Sequence, residues 1–189
     1  MASINLHGAH VLWIGEADTR LEASQAYGEL QDAVSALPAT STNLKGELKR
    51  HLRATHGWRQ NELPVPMGPV PVAGRTRGRP LGSWAIDLAN QRGPLRIGVE
   101  VECSLQTAID HDLTCLQVAL SARNENGIQV GVLIVPCDSF GRARRKGNPN
   151  PPPVDQKWAW VEYAYVDLNV ERYRSVFTGP IVVLGISEP

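Results

Sequence analysis

The chain has 189 residues, 42% hydrophobic and 20% charged, a composition typical of one globular domain. Its 19 Lys and Arg balance 19 Asp and Glu, so the net charge of zero excludes a generic, strongly basic nucleic-acid binder. Three cysteines lack metal or disulfide spacing, and no apolar run is long enough to cross a membrane. We expect a single domain over residues 1–189 of a cytoplasmic protein.

The charge is unevenly distributed along the chain. Residues 45–96 hold ten basic residues against three acidic ones, a net +7. Residues 97–141 carry a net −5, and residues 142–157 carry a net +4. Two basic blocks therefore flank an acidic one. The pattern is compatible either with ordinary surface scatter or with a polyanion-binding surface around a cation-binding centre.

Hydrophobic periodicity predicts three helices and about five strands. The helices are expected over residues 20–37, over 43–56 with Asn43 as N-cap and an end near Gly57, and from Asp110 as N-cap to about Arg123. The strands are expected at 83–87, 95–103, 128–135, 157–166 and 180–186, with a turn at 90–93. The strand–helix–strand unit makes the strands at 95–103 and 128–135 parallel. The fold class is therefore α/β, with a mixed central sheet flanked by helices.

Acidic residues alternate with apolar ones in the strand at 95–103. Its β-branched residues face the core, so Glu100 and Glu102 lie together on the opposite face. Asp87 ends the preceding strand at the same edge of the sheet. Partly buried carboxylates repel one another unless a cation lies between them, and oxygen ligands favour Mg²⁺. The alternative is a pair of structural glutamates on an exposed sheet face.

Asp87, twelve intervening residues and then Glu100-Val101-Glu102 resemble the PD-(D/E)XK nuclease signature. The pattern is most similar to type II restriction endonucleases of the BglII/BamHI kind. In those enzymes the strand is followed by a segment like residues 109–113 and a buried strand like residues 130–134. The resemblance covers about residues 43–136, and it implies a restriction-endonuclease-like fold whose metal site lies in that core.

The resemblance also implies roles for individual residues. Asp87 and Glu100 are expected to bind Mg²⁺, with Mn²⁺ as a substitute, and the main-chain carbonyl of Val101 is expected to be a third ligand. Glu102 stands where most of the superfamily has Lys; it is expected to be the general base, or to help hold a second metal. An acidic residue on an earlier helix completes the family's site, and Glu47 is the candidate. The alternative for Glu47 is a solvated helix residue.

Two basic loops are candidates for DNA contact. The first contains Arg-Gly-Arg-Pro, which resembles the core of an AT-hook, a motif suited to the minor groove. The second is rich in Pro and suits phosphates or guanine edges. An Arg-rich surface loop without a DNA role is the alternative for either one. The candidate DNA-binding residues are Arg75, Arg77, Arg79, Arg142, Arg144, Arg145 and Lys146.

These features together predict a sequence-specific, Mg²⁺-dependent endonuclease of double-stranded DNA that leaves 5′-phosphate ends. A palindromic site read on both strands implies a homodimer, and no membrane partner is expected. One alternative is a PD-(D/E)XK nuclease of repair, recombination or phage metabolism without a strict site. Another is a DNA-binding protein that does not cleave, in which the carboxylates are structural.

Overall fold

The computed structural model describes residues 5–11, 21, 24–37, 43–63, 84–103, 108–123, 125–136, 166 and 174–187. Over these residues the chain forms six strands and three helices. In chain order they are β1 (Asn5–Val11), α1 (Gln25–Ser35), α2 (Leu44–His56), β2 (Arg59–Leu63), β3 (Trp84–Arg92), β4 (Leu95–Val101), α3 (Ile109–Ser121), β5 (Val130–Pro136) and β6 (Ile181–Ser187). None of these helices is long and apolar enough to span a membrane.

The six strands form one mixed sheet in the order β1-β6-β5-β4-β3-β2. Strands β4 and β5 are parallel, as the strand–helix–strand pattern predicted. Strand β6 is also parallel to β5, and the remaining pairs are antiparallel. The sequence predicted neither β1 nor β2, which are the two edges of the sheet. Strand β2 reads Arg-Gln-Asn-Glu-Leu and has no apolar alternation, so its conformation depends on pairing with β3. The predicted strand at 157–166 lies outside the described residues except for its last position.

The helix predicted at 43–56 forms with the expected ends. The Asn43 side chain accepts a hydrogen bond from the Gly46 amide, and Gly57 ends the helix at a φ of 71°. Helix α1 is shorter than the predicted 20–37 and begins after Ser24. The prediction that Asp110 caps α3 was wrong, because the helix begins one residue earlier and Asp110 lies in its first turn.

The hairpin between β3 and β4 is tighter than predicted. Arg92 pairs with Leu95, so the turn is Gly93-Pro94 rather than residues 90–93, and Gly93 has a φ of 57°. The polar residues that suggested a turn have partners on the end of α2. Asn90 Nδ2 and Arg92 Nη2 donate to the His56 carbonyl oxygen over 3.1 and 2.8 Å. These contacts extend β3 beyond its predicted end.

The sheet buries both of its faces. Alternate residues of β4, β5 and β6 pack with α1 and α2 on one face, and the intervening residues of β5 and β6 pack with α3 on the other. On β4, Ile97, Val99 and Val101 belong to the first core, as the alternation predicted. Glu100 therefore projects toward the face that α3 covers, into a region with little access to water.

A β-bulge in β3 positions Asp87. Arg59 and Asn61 are two residues apart in β2, but their partners Ala89 and Ile86 are three residues apart in β3. The extra residue lies at or beside Asp87. The two neighbours of Asp87, Ile86 and Leu88, consequently pack into the cores on opposite faces of the sheet, whereas in a regular strand they would share a face. Bulges redirect side chains locally, and this one lets Asp87 meet groups from both β4 and α2.

A buried ion pair joins α1 to the hairpin. Arg92 Nε and Nη2 donate to Glu29 Oε1 and Oε2 over 2.9 and 2.7 Å, and Trp58 Nε1 donates to Glu29 Oε2 over 2.7 Å. Because Arg92 also binds the His56 carbonyl, one guanidinium ties together α1, the end of α2 and β3. The network fixes how α2 lies against the sheet.

Candidate metal and catalytic site

Asp87 and Glu100 lie side by side where β3 pairs with β4. The Asp87 amide donates to Glu100 Oε2 over 3.3 Å, and the Val101 amide donates to Asp87 Oδ2 over 3.2 Å. Each carboxylate thus accepts a hydrogen bond from the backbone of the neighbouring strand. Glu102 follows at the end of β4, where its amide donates to the Ile134 carbonyl over 3.0 Å. The structure therefore brings together the three acidic residues that the strand pattern singled out.

A fourth carboxylate, which the sequence analysis did not assign to the site, joins them from α3. Asp112 lies in the first turn of α3 and is only 5% exposed. Glu100 and Glu102 are 3% and 4% exposed, so these side chains share a nearly dry region. The parallel crossover supplies the reason, because it places the start of α3 beside the carboxyl end of β4. We call Asp87, Glu100, Glu102 and Asp112 the carboxylate cluster.

Burial and mutual repulsion shift the protonation of this cluster. Burial, with the charges of Asp87 and Asp112, raises the pKa of Glu100 to about 9. Burial likewise raises the pKa of Asp112 to about 6, against the opposing effect of Lys45. In the metal-free protein near neutral pH, Glu100 therefore keeps its proton.

Two lysines from α2 balance part of the remaining negative charge. Lys45 Nζ lies 3.2 Å from Asp87 Oδ2 and 3.6 Å from Glu102 Oε2, and Lys49 Nζ donates to Asp87 Oδ1. Burial tends to raise the pKa of Asp87, but the bond from Lys49 and the charges of both lysines outweigh it and lower that pKa. Burial also opposes the charge of Lys45, yet the neighbouring carboxylates raise its pKa. We call Lys45 and Lys49 the lysine pair.

The lysine pair was not predicted from the sequence, where Glu47 is the candidate on this helix. One turn of helix separates the two lysines, whereas Glu47 is about 200° around the helix from Lys45. Glu47 lines a cavity with Ala33 of α1 and with Leu37, which follows that helix, so the structure does not bring it to the carboxylate cluster. The spacing of the lysines on the predicted helix was a usable signal. The leucines indicate which face of the helix packs on the core, but not which residues of the sheet the lysines meet.

The donor set of the carboxylate cluster suits a hard divalent cation. Glu100 Oε1 and Asp112 Oδ2 are buried and have no hydrogen-bond partner among the described residues. Buried oxygens without partners are costly, and coordination of a cation would satisfy them. Lys45 lies between Asp87 and Glu102, and within the described residues the carboxylates do not form a set of three ligand atoms within 4.8 Å. An incoming cation must therefore replace ammonium contacts and the Glu100 proton.

The predicted DNA-binding residues lie outside the described part of the chain. This applies to Arg75, Arg77, Arg79, Arg142, Arg144, Arg145 and Lys146. Along the chain, residues 64–83 come directly before β3 and residues 137–165 directly after β5. These two strands are the neighbours of β4 in the sheet.

Comparison with known proteins places the chain in a family. The family model described as Endonuc-BglII, restriction endonuclease BglII/BglIII, matches residues 15–186. The chain belongs to this family. Membership confirms the resemblance to type II restriction endonucleases inferred from Asp87 and Glu100-Val101-Glu102, and it makes the chain a site-specific deoxyribonuclease.

A solved structure supports the same fold. The crystal structure of restriction endonuclease BglII complexed with a DNA 16-mer is similar to this chain with a TM-score of 0.59 and 18% sequence identity. The similarity covers 100% of this chain and 79% of that one. The predicted α/β, restriction-endonuclease-like fold is confirmed. No curated protein sequence matches the chain significantly.

The raised pKa of Glu100 predicts how stability depends on pH without metal. The unfolded chain loses this proton near pH 4.5 and the folded protein near pH 9, so between them the folded state binds more protons. The free energy of unfolding should therefore fall as the pH rises from about 6 to 9, by at most about 1.4 kcal/mol per pH unit. Urea unfolding in EDTA measures this slope.

The variant Glu100→Gln is the matched control for that slope. Gln resembles the protonated glutamate in shape and has no proton to lose, so the variant should show a flatter pH dependence over the same window. Equal slopes in the two proteins would contradict the assignment of a buried, protonated Glu100.

Proposed function

We propose that this endonuclease hydrolyses phosphodiester bonds of double-stranded DNA at the carboxylate cluster, in the presence of Mg²⁺, and leaves 5′-phosphate and 3′-hydroxyl ends. The observation that carries the proposal is the meeting of Asp87 and Glu100 on paired strands, with a buried oxygen of Glu100 that has no hydrogen-bond partner among the described residues. The family to which the chain belongs supports cleavage at specific sequences.

Each residue of the site has a distinct task in this proposal. Asp87 and Glu100 would hold the cation, with the Val101 carbonyl as the third protein ligand. A divalent cation there supplies positive charge that offsets the negative charge developing on the phosphoryl oxygens. Glu102 accepts the proton of the attacking water, for which it must be ionised and correctly oriented. Asp112 lies within the same nearly dry region and adds negative charge that favours cation binding.

Lys45 has a second task beyond balancing charge. Most PD-(D/E)XK enzymes carry Lys at the strand position that Glu102 occupies, so this strand lacks that positive charge. Lys45 reaches the same place from α2, with its ammonium 3.6 Å from Glu102 Oε2. We infer that it orients Glu102 and restores the missing charge. Lys49, one turn further along α2, donates to Asp87 Oδ1.

DNA binding follows the charge distribution along the chain. The two basic segments come before β3 and after β5, the strands on either side of β4, so a duplex that contacts both segments would lie close to the carboxylate cluster. A symmetric homodimer would place one such centre on each strand of a palindromic site. We propose contacts from both loops as groups, with Mn²⁺ able to replace Mg²⁺.

Loss of either proposed cation ligand should abolish Mg²⁺-dependent cleavage of plasmid DNA. Asp87→Ala and Glu100→Ala should each lower the rate by at least about 10³-fold, because each removes a proposed ligand of the cation whose positive charge would stabilise the transition state. The exposed Asp110 of α3 provides the control, and Asp110→Asn should cut normally. Near wild-type cutting by either alanine variant would contradict the site.

The cleavage pattern of the wild-type protein separates the proposed function from its alternatives. Discrete bands indicate a site-specific enzyme, whereas a smear indicates a nuclease without strict specificity. Tight DNA binding in EDTA with no cutting in Mg²⁺ or Mn²⁺ would instead identify a binding protein that does not cleave.

The Lys45 role predicts opposite effects on cation affinity and on turnover. Lys45→Met should lower the half-saturating Mg²⁺ concentration, because an ammonium no longer competes for Asp87, yet reduce kcat by about 10²-fold through loss of Glu102 orientation. Lys49→Met should also tighten Mg²⁺ binding but reduce kcat much less. Steady-state cleavage across a Mg²⁺ titration measures both quantities. Equal losses of kcat in the two variants would contradict a specific role for Lys45.

A further inference from the structure

A second cluster of metal-ligating side chains lies between α1 and α2, apart from the carboxylate cluster. His51 Nε2 and His56 Nε2, both on α2, lie 3.0 and 2.9 Å from the same atom, Asp32 Oδ2 of α1. Among the residues that the structure describes, these three form the one group of His, Cys, Asp or Glu whose ligand atoms all lie within 4.8 Å of one another. We call them the Asp–His cluster.

The geometry of the Asp–His cluster is close to that of a tetrahedral metal site. Ligands about 2.0–2.1 Å from a tetrahedral zinc ion are about 3.3 Å from each other. The observed nitrogen-to-oxygen distances of 3.0 and 2.9 Å need to open by only a few tenths of an ångström. The two imidazole rings are 5.8 Å apart between centroids and tilted by 49°, so both Nε2 atoms can face one central ion.

The chemistry of the Asp–His cluster differs from that of the nuclease site. Two imidazole nitrogens and one carboxylate oxygen suit zinc and related transition ions, whereas an all-oxygen set suits Mg²⁺. Hydrogen bonds from His51 and His56 lower the pKa of Asp32, so its carboxylate is ionised. The Asp32 side chain is 56% exposed and the histidines are 27% and 19% exposed, which leaves room for water as a fourth ligand.

The backbone at one ligand is already fixed by other contacts. The His56 carbonyl accepts hydrogen bonds from Asn90 and Arg92, and Arg92 is itself held by Glu29 of α1. Helix α2 ends directly after His56 at Gly57. A metal ion would therefore bind to helices that are already in place. The entropy cost of ordering the chain would then reduce the affinity for the metal only slightly.

We propose that Asp32, His51 and His56 form a second metal site, for a zinc-class transition ion, that joins α1 to α2. Helix α2 also carries the lysine pair, so a bound ion would hold the helix that contacts the nuclease site. The proposal does not depend on DNA cleavage, because none of its three residues belongs to the carboxylate cluster.

Zinc titration by calorimetry tests the proposal on the full chain. The Glu100→Gln background in excess Mg²⁺ keeps zinc from the carboxylate cluster. One equivalent of zinc should bind, and His56→Ala should weaken binding at least about 100-fold, since loss of a ligand exceeds the effect of losing an outer-shell partner. Asp32→Asn should weaken it as well. His111→Gln, which removes a 61% exposed histidine elsewhere, should bind zinc like its parent.

Two further measurements keep the test decisive. Zinc should raise the Tm of the parent protein. It should leave the Tm of His51→Gln unchanged, because this variant replaces the metal ligand with a side chain that can still form a hydrogen bond to Asp32. Cobalt(II) should give the visible absorption of a tetrahedral site in the parent alone. Absence of saturable zinc binding, or equal zinc binding by the parent and His56→Ala, would overturn the proposal.

Discussion

The crowding of four carboxylates, three of them buried and Asp87 partly so, is the constraint on which the rest of this structure depends. Unpaired charges in a nearly dry region cost several kcal/mol each, so the carboxylate cluster is stable only with compensation. In the metal-free protein that compensation comes from the lysine pair and from the proton that Glu100 retains. In the proposed metal-bound state, a cation would replace both the ammonium contacts and this proton.

The fold supplies each part of the cluster from a different element. The β3–β4 hairpin aligns Asp87 with Glu100, and the bulge in β3 allows Asp87 to reach α2. The parallel crossover from β4 to β5 brings the start of α3, with Asp112, to the same end of the sheet. Helix α2 packs on the opposite face of the sheet, and its long lysine side chains extend to Asp87. Oppositely charged groups thus arrive from both layers.

The sequence predicted what depends on local pattern and missed what depends on orientation. The alternation of apolar and acidic residues in β4 predicted that Glu100 and Glu102 share a face, because strand geometry fixes the direction of each side chain. The spacing between Asp87 and Glu100 indicated the family, because a short hairpin brings these two residues together. Helix α2 was predicted with its ends, and its leucines form the buried face. Which residues of the sheet Lys45 and Lys49 meet depends instead on tertiary packing. The lysine pair was therefore missed. Edge strands β1 and β2 were missed because their neighbours, not their own side chains, determine their conformation.

The central claim is that Asp87 and Glu100 bind a divalent cation in place of ammonium contacts and a proton. Anomalous diffraction from crystals of the protein grown with Mn²⁺ tests it most directly. The account predicts a manganese peak about 2.1 Å from a carboxylate oxygen of each residue, with Lys45 displaced from Asp87. A manganese ion found elsewhere, with the lysine pair still bound to Asp87 and no peak beside Glu100, would contradict it.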